Sequence, residues 1–129
     1  VLVVDASVLA PAIADRGDDG QRFRQRLRGQ TLAAPDLLRV EVTSVLRQHL
    51  ASGALTEEQA DAAMIDLIDL PVRVFPTGPL LASVWQDRHN RSVYDACYVA
   101  LAEAMDCLLL TADRRLARSP GLRCQIELL

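Results

Sequence analysis

The sequence predicts an α/β fold in which a mainly parallel sheet is covered by helices on both faces, with residues 1–129 forming one domain. Three observations predict it. Short continuous apolar runs, such as Val1–Val4 and Cys107–Leu110, have the length of strands buried on both faces. Longer segments with helical periodicity and capping signals separate them, and strands alternating with helices favour parallel crossovers. Half of the 129 residues are apolar and 24% are charged, a balance that suits an ordinary globular chain able to bury a core.

The elements follow in order. Val1–Val4 is the first strand; Asp5-Ala6-Ser7 ends it and Val8–Ala14 reads as a helix. Asp15–Gly20 is polar and contains glycine, hence a loop. Gln21–Arg28 reads as an arginine-rich helix with Phe23 and Leu27 on one face. After a strand at Thr31–Ala34, Pro35-Asp36 starts a helix, with Asp36 as its N-cap, which runs to about Ala51 and stops at Ser52-Gly53. Thr56-Glu57-Glu58-Gln59 has the residues of a capping box, and its helix ends near Leu70-Pro71. Val72–Phe75 is a strand, Leu80 to about His89 a helix, and Ser92–Met105 another. Cys107–Leu110 is a strand, Asp113–Ala117 a short helix, and Leu122–Ile126 the last strand. No repeat, low-complexity segment or linker interrupts them.

Composition removes several kinds of chemistry. The three cysteines, Cys97, Cys107 and Cys124, are odd in number and lack CxxC spacing, so reduced thiols are expected rather than a disulfide framework or a zinc site. His49 and His89 are isolated, so a bound metal would be held by oxygen. All 14 basic residues are arginine. Without lysine, a receiver-type phosphoacceptor site and a P-loop both fail. Asp5 is followed by Ala6-Ser7, which departs from the Asp-x-Asp of haloacid-dehalogenase-type phosphatases. No apolar run reaches membrane-spanning length, and no basic leader precedes Val1, so the expectation is a cytoplasmic protein with no membrane association.

Four acids stand out by position. In open α/β sheets ligands collect at the carboxyl ends of the strands. Asp5 follows the first strand and Asp113 follows Leu108–Ala112, although each also reads as the cap of the helix after it. Glu41 lies inside the apolar stripe Leu38, Val42, Val45 and Leu46, where a carboxylate must be paired with an arginine or bound to a metal. Asp95, in Ser92-Val93-Tyr94-Asp95, sits in the first turn of a buried helix and reads equally as part of a capping box. Clustered carboxylates raise one another's pKa unless a cation intervenes, and oxygen-rich acidic clusters suit magnesium or manganese. Such ions activate water against a phosphodiester without a His, Cys or Ser nucleophile. The net charge of -3 argues against a broad basic nucleic-acid surface. Setting the four acids aside, however, leaves 13 carboxylates against 14 arginines.

Val3-Val4-Asp5-Ala6-Ser7, Pro35-Asp36-Leu37 leading to Glu41, Tyr94-Asp95-Ala96 and Leu110-Thr111-Ala112-Asp113 together carry a family resemblance. The chain resembles the PIN-domain nucleases, and within them the VapC-type toxins of bacterial toxin–antitoxin pairs. The resemblance implies a three-layer α/β/α sandwich and a metal-dependent endoribonuclease. It places Asp5, Glu41, Asp95 and Asp113 around Mg2+ or Mn2+, with Glu41 ligating the ion or orienting the attacking water. Ser7 and Thr111 match positions that support the site by hydrogen bonding, their other reading being capping and turn formation. It also implies a homodimer, an RNA substrate and a VapB-like antitoxin whose tail fills the acidic groove. Arg114 and Arg115, with Arg118 and with Arg22, Arg24, Arg26 and Arg28, are candidates for phosphate contacts; the alternative for both groups is a solvated charged face. With 4% aromatic residues, an extended base-stacking platform is not expected. The rival reading is a catalytically silent PIN-like module that binds RNA or protein.

Overall fold

Five strands, β1 (Leu2–Val4), β2 (Leu32–Pro35), β3 (Val72–Phe75), β4 (Leu108–Thr111) and β5 (Ile126–Leu128), pair in the order β3-β2-β1-β4-β5. The computed structural model describes all 129 residues. Every pairing is parallel, with Leu2 opposite both Leu32 and Leu108, and Leu109 opposite Ile126. Val3, Val4, Ala33, Ala34, Leu109 and Leu110 are fully buried, which explains why the central strands are apolar without alternation.

The helices are α1 (Ala6–Ala14), α2 (Asp18–Leu27), α3 (Leu38–Ala51), α4 (Glu57–Asp69), α5 (Leu81–Gln86), α6 (Val93–Met105) and α7 (Arg114–Ala117). The chain steps outward from β1 to β2 to β3, then returns to the other side of β1 for β4 and β5. Parallel crossovers are right-handed, so the outward and return connections lie on opposite faces. Accordingly α1 packs with α2, α3 and α4, while α6 lies against β1, β2 and β4 and carries α5. The result is a three-layer α/β/α sandwich. No helix is long and apolar enough to cross a membrane.

Several boundaries differ from the sequence expectation, each for a local reason. Helix α1 starts at Ala6, because the Asp5 carboxylate caps it directly from the end of β1. Helix α2 starts at Asp18 and includes Gly20, where a Cβ would lie 1.9 Å from the Asp15 carbonyl oxygen; that glycine marks a close approach of the chain, not a loop. Asp36 is not an N-cap. Its amide donates to Phe75 O and extends the β2–β3 ladder, so α3 begins two residues later with Leu37 at its cap position. The segment expected to be one helix to His89 is a 3-10 turn at Gly78–Leu80 followed by the short α5. The last strand is Ile126–Leu128 rather than Leu122–Ile126. Partial burial does alternate from Leu122 onward, but the Cys107 amide is bound to Ala102 O at the end of α6, so β4 offers no ladder before Leu108. The Thr56–Gln59 capping box forms with both of its bonds, and all three cysteines are free.

The first arginine group serves the fold. Arg24 donates to the carbonyls of Ala12 and Asp15, closing the α1–α2 corner. Arg26 grips Glu127 through Nε and Nη2, tying α2 to β5, and Arg22 pairs with Asp19. Arg24 and Arg26 are thus engaged in holding helices in place and are not available to phosphate, while Arg22, 57% exposed and paired only within α2, belongs to a solvated charged face.

Candidate active site

The reversal of strand order falls between β1 and β4, and the residues that follow these two strands therefore meet at one end of the sheet. Asp5 stands there almost fully buried, at 5% exposure. Its Oδ1 accepts from Ser7 Oγ at 2.5 Å and from the Val8 amide at 3.3 Å; its Oδ2 accepts from Thr111 Oγ1 at 2.5 Å. The Thr111 hydroxyl in turn accepts from the Asp113 amide at 3.1 Å, and Ser7 Oγ accepts from the Ala112 amide at 2.8 Å. Ser7 and Thr111 therefore lock the end of β1 to the end of β4. The alternatives of capping and site-building coincide at Asp5, which does both.

Asp113 also caps its helix, its Oδ1 accepting from the amides of Arg115 at 2.8 Å and Leu116 at 3.3 Å. Asp95 enters from α6. Its amide donates to Ser92 Oγ, but the reciprocal bond from the Ser92 amide to its carboxylate is not made, so only half of the capping box forms. Glu41 enters from α3, on whose inner face Leu38, Val42 and Leu46 are buried. Its partner is not an arginine: Tyr98 Oη donates to Glu41 Oε1 at 2.7 Å. Arg39, the nearest arginine in sequence, donates instead to the carbonyls of Leu67 and Leu70.

All four acids line one open cavity of about 380 Å3, together with Ser7, Tyr98 and His49. Burial raises the carboxyl pKa of Asp5, Glu41 and Asp95, and neighbouring carboxylates add to each rise: Asp95 on Asp5, Asp95 and Asp5 on Glu41, and Asp113 on Asp95. The hydroxyls of Ser7, Thr111, Tyr98 and Ser92 oppose it. No three acids converge into a closed cage of direct ligands. Magnesium does not require one, because it dehydrates reluctantly and is commonly held by one or two carboxylates with water completing its shell. An all-oxygen donor set whose carboxyls disfavour their own charge fits such a cation.

Two further cavities adjoin it through shared wall residues. Asp95 also lines a second cavity of about 320 Å3, whose wall includes Arg88, Arg91 and Arg115. Arg115 lines a third, of about 550 Å3, with Arg114, Arg118 and Asn90. Arg114, Arg115 and Arg118 are exposed on α7 and just beyond it. Arg91 is different: it is buried, pairs with Asp87, and donates to Ser119 Oγ and Pro120 O, bracing the two loops that form the cavity wall.

The family model for the PIN domain matches residues 2–122. The chain belongs to the PIN-domain family. Within that family it belongs with the VapC ribonucleases: it is 45% identical over 127 residues to ribonuclease VapC1 of Mycobacterium tuberculosis (strain ATCC 25618 / H37Rv), covering 98% of this chain and 96% of that one. The PIN fold is shared with the crystal structure of M. tuberculosis VapC20, a sarcin-ricin loop cleaving toxin, at TM-score 0.69 and 16% identity over 91% of this chain and 93% of that one. It is shared too with VapBC2 from Rickettsia felis bound to a DNA fragment from their promoter, at TM-score 0.63 and 16% identity over 99% and 98% of the two chains.

Three residues of this PIN-domain site escaped the sequence reading. Tyr98 looked like one more buried residue of α6, and only Asp95 three positions before it could have hinted that its face meets the acids. His49, isolated in sequence, lines the acidic cavity from the last turn of α3. Arg91 had one local signal, Asp87 four positions before it, but its partners at 119 and 120 lie far along the chain.

Proposed function

We propose that this PIN-domain chain is a metal-dependent endoribonuclease, hydrolysing RNA phosphodiester bonds as the toxin of a VapBC-type toxin–antitoxin pair. The observation that carries the reading is the convergence of Asp5, Glu41, Asp95 and Asp113, from four separate elements, on one open cavity at the strand-order reversal. Asp5, Asp95 and Asp113 would hold Mg2+ or Mn2+ between them, one or two by direct contact and the rest through the ion's waters. When bound, such an ion acidifies a water for attack and stabilises the leaving oxygen. Ser7 and Thr111 fix the Asp5 carboxylate by both oxygens, leaving it one orientation toward the ion. Glu41 ligates the ion or aligns the attacking water.

Arg114 and Arg115, reached from Asp95 through the adjoining cavities, would contact RNA phosphates. The named ribonuclease relatives support the substrate class. The VapBC assembly among the structures of like fold supports a VapB-like antitoxin as partner. A homodimer and a cytoplasmic site of action belong to the same reading.

The test is incubation of purified, antitoxin-free protein with total cellular RNA in magnesium, in manganese and in chelator. Discrete fragments that require metal, and that are absent with Asp5→Asn and Asp95→Asn proteins of unchanged fold, are expected. Equal cleavage by folded Asp95→Asn protein would overturn the site assignment. Folded wild-type protein that cleaves with neither metal would favour a silent RNA- or protein-binding module.

A further inference from the structure

The bond from Tyr98 Oη to Glu41 Oε1 spans 57 positions of sequence and joins α6 to α3, two helices assigned to different layers of the sandwich. Tyr98 is 1% exposed and among the largest fully buried side chains of the core. Its ring therefore fills volume that phenylalanine would fill as well. Only the hydroxyl distinguishes it, and Glu41 is its hydrogen-bond partner. Tyr98 follows Asp95 by three positions on α6, so one helix face presents both a site acid and the donor that grips another.

Glu41 needs such a grip. It projects into the cavity on a side chain with three rotatable bonds, and freezing these without a partner carries an entropic cost. No arginine holds it, and Tyr98 supplies the one hydrogen bond that its carboxylate accepts from the protein. Its other oxygen, Oε2, has no protein donor, while Glu41 lines the cavity shared by the three aspartates.

We propose that Tyr98 is a positioning residue of the nuclease site: its hydroxyl fixes the Glu41 carboxylate at the cavity in the orientation that a divalent cation and its waters require. This rests on the metal-site reading above. Tyr98 itself touches neither substrate nor ion; it acts through Glu41. A merely structural hydroxyl would stabilise the packing of α6 without affecting what the cavity binds.

The two roles separate in a titration of Mn2+ into folded wild-type, Tyr98→Phe, Glu41→Gln and doubly substituted protein, followed by calorimetry. Tyr98→Phe is expected to weaken Mn2+ binding about tenfold, the scale on which partners of metal ligands act. The double variant is expected to bind no more weakly than Glu41→Gln alone, because the hydroxyl has no second route to the site. Equal Mn2+ affinity in wild-type and Tyr98→Phe protein, even with a lowered Tm, would overturn the positioning role and leave the metal site standing. A wild-type chain that takes up no Mn2+ would overturn both. A second readout does not need the Phe variant to fold. Tyr94→Phe, at an exposed position, leaves Tyr98 as the lone tyrosine, and Mg2+ titration should then shift its near-ultraviolet band with the affinity of the site. An unmoved band would overturn the proposal.

Discussion

Asp5 combines the duties of a helix cap, a strand-end tie and a site acid, and its neighbours show which duty costs stability. Thr111 is fully buried, and its hydroxyl both donates to Asp5 Oδ2 and accepts from the Asp113 amide. Thr111→Val keeps the shape and orphans both groups, so urea unfolding should show a loss of about 1–3 kcal/mol. Asp5→Asn keeps an oxygen for the Val8 amide and removes a buried charge, so its thermal midpoint in chelator should equal or exceed that of wild-type protein. A large loss would mean that capping outweighs charge burial. The pH profile follows from the same groups. Asp5, Glu41 and Asp95 have raised folded values, so the apo protein binds protons that the unfolded chain has released. Its stability should therefore rise as pH falls from their raised values toward the ordinary carboxylate range of about 4. Glu127 is lowered by Arg26, so its contribution is present above the ordinary glutamate value and lost as pH falls through its lowered one. Thermal midpoints in chelator should peak at mildly acidic pH, with Arg26→Ala flattening only the acid limb.

At the scale of elements, the α1–α2 corner is built on Gly20. A Cβ there would lie 1.9 Å from Asp15 O and 2.7 Å from Asp15 C, backbone atoms that cannot swing aside as the end of a flexible side chain could. Gly20→Ala should cost about 1–3 kcal/mol by forcing the two helices apart. Gly78→Ala meets nothing within 4 Å and should leave the urea midpoint unchanged within error. This corner also shows where sequence reading runs out. Gly17 and Gly20 look alike as letters, yet Gly20 lies inside a helix because of what packs on it. Asp36 followed Pro35 as a cap should, but the ladder to β3 claimed its amide first. The apolar strands and the Thr56 capping box were legible because burial on both faces and reciprocal capping are local rules with few exceptions.

For the whole molecule, strand order decides what can be read in advance. Asp5 and Asp113 were legible because each lies within two residues of the end of a central strand, and Glu41 because a carboxylate interrupts an apolar stripe. Tyr98 was not, since a buried tyrosine among buried residues of α6 has no pattern of its own. The arginines divided in a way that no local rule separates: Arg24 and Arg26 brace helices, while Arg114, Arg115 and Arg118 line a cavity whose neighbour has Asp95 in its wall. The assembled molecule therefore makes a prediction about ionic strength. With cleavage disabled by Asp5→Asn, binding of an oligoribonucleotide should weaken with salt, and Arg114→Ala with Arg115→Ala should reduce the log–log slope by about 1 for each phosphate no longer neutralised. The same slope in the double variant would place the RNA elsewhere on the surface.

The tie between Asp5 and Thr111 joins positions 106 residues apart. A ribosome making this chain must add 106 residues after Asp5 to reach Thr111, and more to reach Asp113, before the surroundings of Asp5 are complete. Because a domain of this kind folds as a unit, a chain stalled or cleaved before β4 lacks both the tie to Asp5 and the fourth acid of the cavity. The cavity therefore comes into being only with the finished molecule, and an inhibitor that recognises it has nothing to bind until then.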